Sequence, residues 1–220
     1  MPSSPVGAAL LDVDGTLVDT TFHHALAWWR ACNDCGVPTP MWRLHRLIGM
    51  GSDQLLQQIV GEEREELTER WEAHFQDLKP EVRALPGAAT LVERLDGRGL
   101  AVVYATSGRD EDISHLRDVI GADEWVHAAV SSNEVDASKP EPDIFRLALE
   151  RAGVAAASAV VVGDTVWDAR AAAALGITCV GVRSGGISEA ELLEAGAAQV
   201  YDDARDLADN LDRSPFADLL

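Results

Sequence analysis

Short apolar runs alternate with helix-like stretches along most of the chain, and this alternation constrains the fold more than any other feature. The runs include Leu100–Ala105, Ala159–Val162 and Thr178–Val182, and each is apolar on consecutive residues rather than on every second one. That pattern is typical of strands covered on both faces. Helix-like stretches such as Ala88–Leu95 and Ile144–Ala152 lie between them. We therefore expect βαβ units that build an α/β fold with a doubly wound, parallel sheet.

One interval, residues 19–84, interrupts this alternation because it holds no strand candidate. Within it, Ser52 and Asp53 predict an N-cap for a helix. Four apolar residues recur at three- and four-residue steps, as on one face of an amphipathic helix: Leu67, Trp71, Phe75 and Leu78. We expect an inserted all-helical cap domain at 19–84, and a core domain formed by 1–18 and 85–220.

The charge balance excludes several classes of partner. The chain has 18 Lys and Arg against 37 Asp and Glu, a formal net charge of −19. Such a surface repels nucleic acids and anionic membranes, and no apolar run approaches the ~18 residues of a membrane span. Three cysteines suggest no disulfide framework, and Cys32 and Cys35 are expected to pack inside the cap. The N-terminal segment lacks the cationic flank of a secretory signal. We expect a cytoplasmic monomer or homodimer that acts on a small molecule.

Two pairs of carboxylates follow predicted strands. Asp12 and Asp14 come directly after the first apolar run, and Asp164 and Asp168 follow Ala159–Val162. The carboxyl ends of parallel strands meet at one sheet edge, where open α/β sheets bind ligands. Converging carboxylates repel unless a cation lies between them or one is protonated, and oxygen ligands suit Mg²⁺. Each acid taken alone also fits a helix N-cap or a solvated strand end.

Cationic and hydroxyl groups follow the other predicted strands. Lys139 is one of only two lysines, while arginine fills the other sixteen cationic positions, which suggests a need for a compact point charge. Thr106, Ser107, Gly108 and Arg109 follow the run Leu100–Ala105 and can present hydroxyl and backbone N–H groups to an anion. A solvated loop lysine and ordinary helix capping are the alternative interpretations of these two features.

Together, the motifs Asp-x-Asp, Thr-Ser, Lys-Pro and Gly-Asp-x-x-x-Asp follow four strands in that chain order. This constellation closely resembles the haloacid dehalogenase superfamily of phosphohydrolases, and the resemblance runs from Leu10 to about Tyr201. The helical insertion is similar to the small α-helical cap of the subgroup that contains phosphoglycolate phosphatase and β-phosphoglucomutase.

The resemblance implies a catalytic role for each core motif. Asp12 would be the nucleophile that forms an aspartyl-phosphate, and Asp14 the general acid and base. Thr106 and the backbone around Ser107 would hold the phosphoryl oxygens, and Lys139 would neutralise negative charge. Mg²⁺ would be held by the Asp12 carboxylate, the Asp14 backbone carbonyl, Asp164 and, as a ligand or a support, Asp168.

Substrate contacts are expected from both parts of the chain. In the core they are Ser107, Gly108 and Arg109; in the insertion they are His24 and the loop residues Gly49, Met50, Gly51 and Ser52. The implied activity is hydrolysis of a small phosphorylated metabolite, a phosphate monoester.

Other activities of the superfamily fit less well. A phosphomutase shares a histidine matching His24, but the arginine with which its cap loop binds a second phosphate is matched here by Ser52. Dehalogenases lack a residue equivalent to Asp14, and the imine-forming cap lysine of phosphonatases has no match, since Lys79 lies at the far end of the cap. A binding or regulatory protein without turnover also stays open, although the complete catalytic set argues against it.

Overall fold

A six-stranded parallel sheet forms the centre of the molecule in a computed structural model. The structure describes residues 5–219, except for the side chains of residues 110 and 111. The strand order is β3-β2-β1-β4-β5-β6. Leu11, the last residue of β1, pairs with Tyr104 of β2 and Val162 of β4, so the ends of these three strands lie side by side. The strands are β1 Gly7–Leu11, β2 Leu100–Ala105, β3 Ala128–Val130, β4 Ala159–Gly163, β5 Thr178–Val182 and β6 Gln199–Tyr201.

Helices cover both faces of the sheet, as the consecutive apolar residues of the strands require. One apolar cluster joins Val102 of β2 to Leu91 and Leu207, and a second cluster joins Val161 of β4 to Phe145. No helix in the described part of the chain is both long and apolar enough to span a membrane. The α-helices are α1 Thr21–Asp34, α2 Met41–His45, α3 Ser52–Ile59, α4 Glu65–Leu78, α5 Ala88–Asp96, α6 Asp110–Ile120, α7 Asp143–Ala152, α8 Val166–Ala174, α9 Glu189–Ala195 and α10 Ala204–Asp209.

The prediction of a doubly wound α/β fold is confirmed, with two differences in detail. Strand β6 was not predicted. The predicted cap at Ser52 and Asp53 is wrong, because α3 begins at Ser52 and its N-cap is Gly51, which has no side chain to accept a hydrogen bond. The Asp53 carboxylate instead accepts a long hydrogen bond, 3.5 Å, from the backbone N–H of Ser138 in the core.

Helices α1 to α4 follow β1 and precede α5 in the chain, and they pack around an apolar cluster of their own. The predicted apolar face of α4 is buried in this cluster, Cys32 is buried and Cys35 is partly buried. The two connections to the sheet lie side by side, since Asp19 N–H donates to Arg83 O and Leu85 N–H donates to Leu17 O. Division into a cap domain at 19–84 and a core domain at 1–18 and 85–220 stays a prediction; residues 1–4 and 220 lie outside the described part.

Candidate active site

Three buried carboxylates and one ammonium group meet where β1 and β4 end. Asp12, Asp164 and Asp168 offer oxygens that lie within 4.8 Å of one another. The Lys139 Nζ lies 2.6 Å from Asp12 Oδ1 and 2.8 Å from Asp168 Oδ1, and it donates to the Ala105 carbonyl at 2.9 Å. The strand ends therefore bring together the acids and the lysine that the sequence singled out.

The hydroxyl of Thr16 joins two of these acids. Thr16 Oγ1 lies 3.1 Å from Asp164 Oδ1 and 3.3 Å from Asp12 Oδ2, and the side chain is fully buried. The second carboxylate oxygen of Asp164, Oδ2, has no hydrogen-bond partner among the described residues. Thr16 thus orients Asp12 and Asp164 toward each other and leaves one Asp164 oxygen unsatisfied.

Asp168 has a structural contact on each of its oxygens. Its Oδ2 accepts from Thr165 N–H at 3.2 Å and from Thr165 Oγ1 at 2.5 Å. The Asp168 N–H in turn donates to Thr165 Oγ1 at 3.4 Å, which completes a capping box at the start of α8. Its Oδ1 faces Lys139. The N-cap of α8 is therefore Thr165 and not Asp164, so the capping interpretation of Asp164 is wrong and its carboxylate is available to the cluster.

Burial and mutual repulsion raise the pKa values of two of these acids. Burial raises the pKa of Asp12 to about 7, and the nearby Asp168 and Asp14 add to the increase while Lys139 opposes it. Burial, with Asp12 and Asp168, also holds the pKa of Asp164 well above its ordinary value. Burial alone would lower the pKa of Lys139, but the same carboxylates hold it above the ordinary value of a lysine. When all three acids are ionised, the cluster carries more negative charge than one ammonium can balance.

Asp14 lies beside this cluster but its carboxylate points into a separate hydrogen-bond network. Thr20 Oγ1 donates to Asp14 Oδ1 at 2.7 Å, and Thr106 Oγ1 donates to Oδ2 at 3.0 Å. His24 Nε2 lies 3.0 Å from Oδ1. Burial would raise the pKa of Asp14, but the imidazole of His24 and the two hydroxyls overcome it and lower the pKa to about 2. Asp14 is therefore ionised in the substrate-free site.

The segment after β2 is built around Thr106 rather than around a helix cap. Thr106 is fully buried, donates to Asp14 and accepts from Gly108 N–H at 2.8 Å. Helix α6 begins only at Asp110, and its N-cap residue, Arg109, makes no side-chain capping bond. The capping interpretation of Thr106 is therefore wrong.

A cavity of about 220 Å³ opens above Asp12 and Asp14. Nine of the residues singled out from the sequence line it: Asp12, Asp14, His24, Gly49, Met50, Ser52, Ser107, Gly108 and Arg109. Gly51, Thr106, Lys139, Asp164 and Asp168 do not line the cavity, and the last four are buried beneath it.

The loop before α3 is seated directly on the core. The Gly49 carbonyl accepts from Ser107 Oγ at 3.1 Å. Gly49 has a φ of +95°, and a Cβ there would lie 2.7 Å from Thr165; a Cβ on Gly51 would lie 2.1 Å from Ser138 Oγ. Only glycine allows this approach, and it brings the loop against the segments that carry Asp168 and Lys139.

The far wall of the cavity is aromatic and was not predicted. Trp28 of α1 stacks on Trp71 of α4, with ring centroids 5.2 Å apart, and Trp71 stacks on Phe75 at 5.7 Å. All three rings line the cavity. Arg109 lies over Trp71 at 5.7 Å and donates to Glu72 Oε2 at 2.8 Å. Thr16 and Thr20 were also missed as site residues, although both follow the first Asp-x-Asp motif within six residues.

Comparison with known proteins establishes the family. The sequence pattern of the haloacid dehalogenase-like hydrolases matches residues 6–176. The chain belongs to this family. It is therefore a phosphohydrolase-type enzyme of the haloacid dehalogenase superfamily, which agrees with the motifs at its strand ends. This membership supports an enzyme over the alternative of a binding protein without turnover.

Several family members are similar to the chain over most of its length. A hydrolase from Pseudomonas syringae has the same fold, with a TM-score of 0.89 and 34% identity over 94% of this chain and 98% of that one. A phosphoglycolate phosphatase of Cupriavidus necator is 29% identical over 194 residues, 83% of each chain. The β-phosphoglucomutase of Bacillus subtilis is 28% identical over 192 residues, 81% of this chain and 84% of its own.

Proposed function

We propose that the protein is a Mg²⁺-dependent phosphatase that hydrolyses a small phosphate monoester through an aspartyl-phosphate on Asp12. One observation carries the proposal: the Asp12 carboxylate lines the cavity while its Oδ1 lies 2.6 Å from the buried Lys139 ammonium, with Asp14 on the same cavity wall. A nucleophile, a fixed positive charge and a second carboxylate thus surround one place for a phosphoryl group.

The donor set fits a hard divalent cation. Three buried carboxylates face one ammonium, and Asp164 Oδ2 lacks a partner among the described residues. We propose that Asp12, Asp164 and the Asp14 backbone carbonyl hold Mg²⁺, and that Asp168 supports the site by orienting Lys139 rather than by binding the metal. When bound, Mg²⁺ supplies positive charge that balances the carboxylates and the phosphoryl oxygens.

In the first chemical step, an Asp12 oxygen attacks phosphorus and the bond between phosphorus and the ester oxygen breaks. Asp14 gives a proton to the departing oxygen, so that the alcohol leaves neutral. Since Asp14 is ionised in the substrate-free site, it must first take up a proton. The phosphoryl anion favours this because a nearby negative charge raises a carboxyl pKa. His24 Nε2, 3.0 Å from Asp14 Oδ1, keeps this carboxylate oriented.

In the second step, a water molecule attacks phosphorus and Asp14 accepts its proton. The bond between phosphorus and the Asp12 oxygen breaks, which releases inorganic phosphate and regenerates the carboxylate. Lys139 stabilises negative charge on Asp12 and the transferring group in both steps, while Thr106 keeps Asp14 oriented.

We propose further that residues 19–84 form a cap domain that presents Gly49, Met50, Gly51 and Ser52 to the leaving group and excludes water. The alternative activity, a phosphomutase, requires the cavity to bind a second phosphate. Arg109 is the only arginine or lysine among the described residues that line the cavity, and Glu72 neutralises it. This favours simple hydrolysis.

The test uses p-nitrophenyl phosphate, whose leaving group needs no proton. Asp12→Asn should release no phosphate, because an amide does not attack phosphorus and supplies no negative charge to Mg²⁺. Asp14→Asn should release a rapid burst of p-nitrophenol equal to the enzyme concentration and then turn over slowly, because only the second step needs its base. The phosphorylated peptide that contains Asp12 should accumulate and be found by mass spectrometry. Wild-type turnover by Asp12→Asn, or the phosphoryl group on another residue, would overturn the proposal.

A further inference from the structure

One wall of the cavity, which starts beside Asp14, is a continuous stack of flat side chains. It begins at His24, whose ring lies 4.2 Å from Phe75 and 5.7 Å from Trp71 between centroids, and it continues from Trp71 to Trp28. Trp71 is 8% exposed, whereas Phe75 and Trp28 are 1% and 3% exposed, so Trp71 offers a ligand the most surface of the three rings. A ligand in the cavity therefore meets a preformed apolar surface.

This stack starts at the place where the leaving group must lie. His24 Nε2 is 3.0 Å from Asp14 Oδ1, and Asp14 is the proposed proton donor to the ester oxygen. The part of the substrate attached to that oxygen thus projects from Asp14 along His24 toward Phe75 and Trp71. The aromatic wall faces the leaving group and not the phosphoryl group.

The charges along the same wall are already compensated. Arg109 lies over the Trp71 ring but donates to Glu72 at 2.8 Å. Asp112 adds a carboxylate to the lining, and its Oδ1 lies 2.5 Å from Lys79 Nζ. No unpaired arginine or lysine lines the described part of the cavity, so a second phosphate or a carboxylate on the substrate would be desolvated without a partner.

We propose that the substrate is a phosphate monoester whose leaving group carries a neutral planar ring, and that the ring packs against Trp71 on the aromatic wall of the cavity. This inference rests on the proposed phosphatase activity and specifies its substrate class. It also separates this chain from relatives whose names specify phosphoglycolate or phosphoglucose, since those substrates carry a carboxylate or many hydroxyl groups instead of an apolar ring.

The experiment compares kcat/KM for benzyl phosphate, 3-pyridylmethyl phosphate, ethyl phosphate and phosphoglycolate in saturating Mg²⁺. All four release a primary alcohol, so differences in leaving-group reactivity are small. Benzyl phosphate should exceed ethyl phosphate at least tenfold, which corresponds to about 1.4 kcal/mol of additional binding in the transition state. The pyridyl ester, which also carries a neutral planar ring, should likewise exceed ethyl phosphate, and phosphoglycolate should be the poorest of the four.

Two substitutions identify the ring contact. Trp71→Leu should lower two ratios at least fivefold, that of benzyl to ethyl phosphate and that of the pyridyl ester to ethyl phosphate. Trp71→Phe, which keeps an aromatic ring at this position, should lower them less. The matched control is Trp42→Leu, because Trp42 is another tryptophan between β1 and α5 but is 71% exposed and does not line the cavity. It should leave both ratios unchanged.

The inference would be overturned by a preference for phosphoglycolate over benzyl phosphate, or by ratios that do not respond to Trp71→Leu. In either case, phosphate release that depends on Asp12 would still support the proposed phosphatase. Absence of phosphate release from all four esters would instead reject the proposed function. The ratios are internal to each variant, so a loss of folded protein lowers both rates and does not mimic the expected result.

Discussion

Lys139→Met removes the positive charge of the buried cluster and keeps most of the side-chain volume. Lys139 is 0% exposed, and its Nζ contacts carboxylates of Asp12 and Asp168. Removing one partner of a buried ion pair costs about 3–5 kcal/mol, because the remaining charge is uncompensated. In a domain of this size, 1 kcal/mol shifts Tm by about 2–4 °C, so the metal-free variant should melt about 6–20 °C below the wild type.

The assay is thermal unfolding in chelator at pH 8, repeated with Mg²⁺. Because the variant leaves repelling carboxylates beneath the cavity, Mg²⁺ should raise its Tm more than it raises that of the wild type. Turnover of p-nitrophenyl phosphate should fall at least a hundredfold, in line with loss of a fixed charge at a transferring phosphoryl group. Arg146→Met is the control, because Arg146 is 51% exposed and pairs with Asp143 on the surface of α7.

Two results would refute this reasoning. A metal-free Tm within about 2 °C of the wild type would mean that the Lys139 ammonium does not compensate the carboxylates at all. A Tm that falls as expected, combined with undiminished turnover, would separate the two roles and leave Lys139 as a structural charge only.

Three further predictions concern the metal, the cap loop and the charge on the cavity wall. Folding raises the pKa of Asp12 from 3.8 to about 7, so the metal-free protein should lose stability between about pH 4 and pH 7, where only the unfolded state loses the proton. The increase in Tm caused by Mg²⁺ should therefore be larger at pH 8 than at pH 5. Equal increases at the two pH values would contradict this. Gly51→Ala places a Cβ 2.1 Å from Ser138 Oγ, so kcat/KM should fall about tenfold, which corresponds to about 1.4 kcal/mol. Adding Ser138→Gly to the same chain should restore kcat/KM. If it does not, the loop is not seated on the core. Glu72→Gln leaves Arg109 unpaired in the cavity, so the ratio of kcat/KM for phosphoglycolate to kcat/KM for ethyl phosphate should rise about threefold to tenfold. The control is Glu69→Gln, on the exposed side of the same helix, which should not change this ratio. An unchanged ratio in both variants would show that Glu72 does not neutralise Arg109.

The sheet was predictable where a strand is buried on both faces. The runs at 100–105, 159–162 and 178–182 fall within β2, β4 and β5, because each of these strands lies between two others and is covered by helices on both faces. Strand β6, Gln199–Tyr201, lies at the edge, pairs only with β5 and contains one aliphatic residue. A short edge strand needs no apolar run, and the sequence therefore carried no signal for it.

The charged part of the site was predictable for a similar reason. Asp12, Asp164 and the threonine after β2 follow strands directly, so the parallel sheet alone brings them to one edge. The aromatic wall could not be predicted in the same way. The spacing of Trp71 and Phe75 correctly indicates burial on one face of α4, but a core-facing ring and a cavity-facing ring have the same period. Distinguishing them requires the orientation of α4 relative to Asp14, which is a tertiary property.

The loop at 49–51 contacts the core, and these contacts link the orientation of α4 and its neighbouring helices to the charged cluster. Gly49 lies against Thr165, whose hydroxyl and N–H hold Asp168, and Gly51 lies against Ser138, the residue before Lys139. The loop thus rests on the two core segments that fix the ammonium group and its partner carboxylate. If the loop lifts, those segments lose a packing surface at the same moment that the cavity opens to water. We therefore expect closure of the proposed cap to be coupled to the organisation of the charged cluster, so that the site is dry when its charges are best placed for phosphoryl transfer.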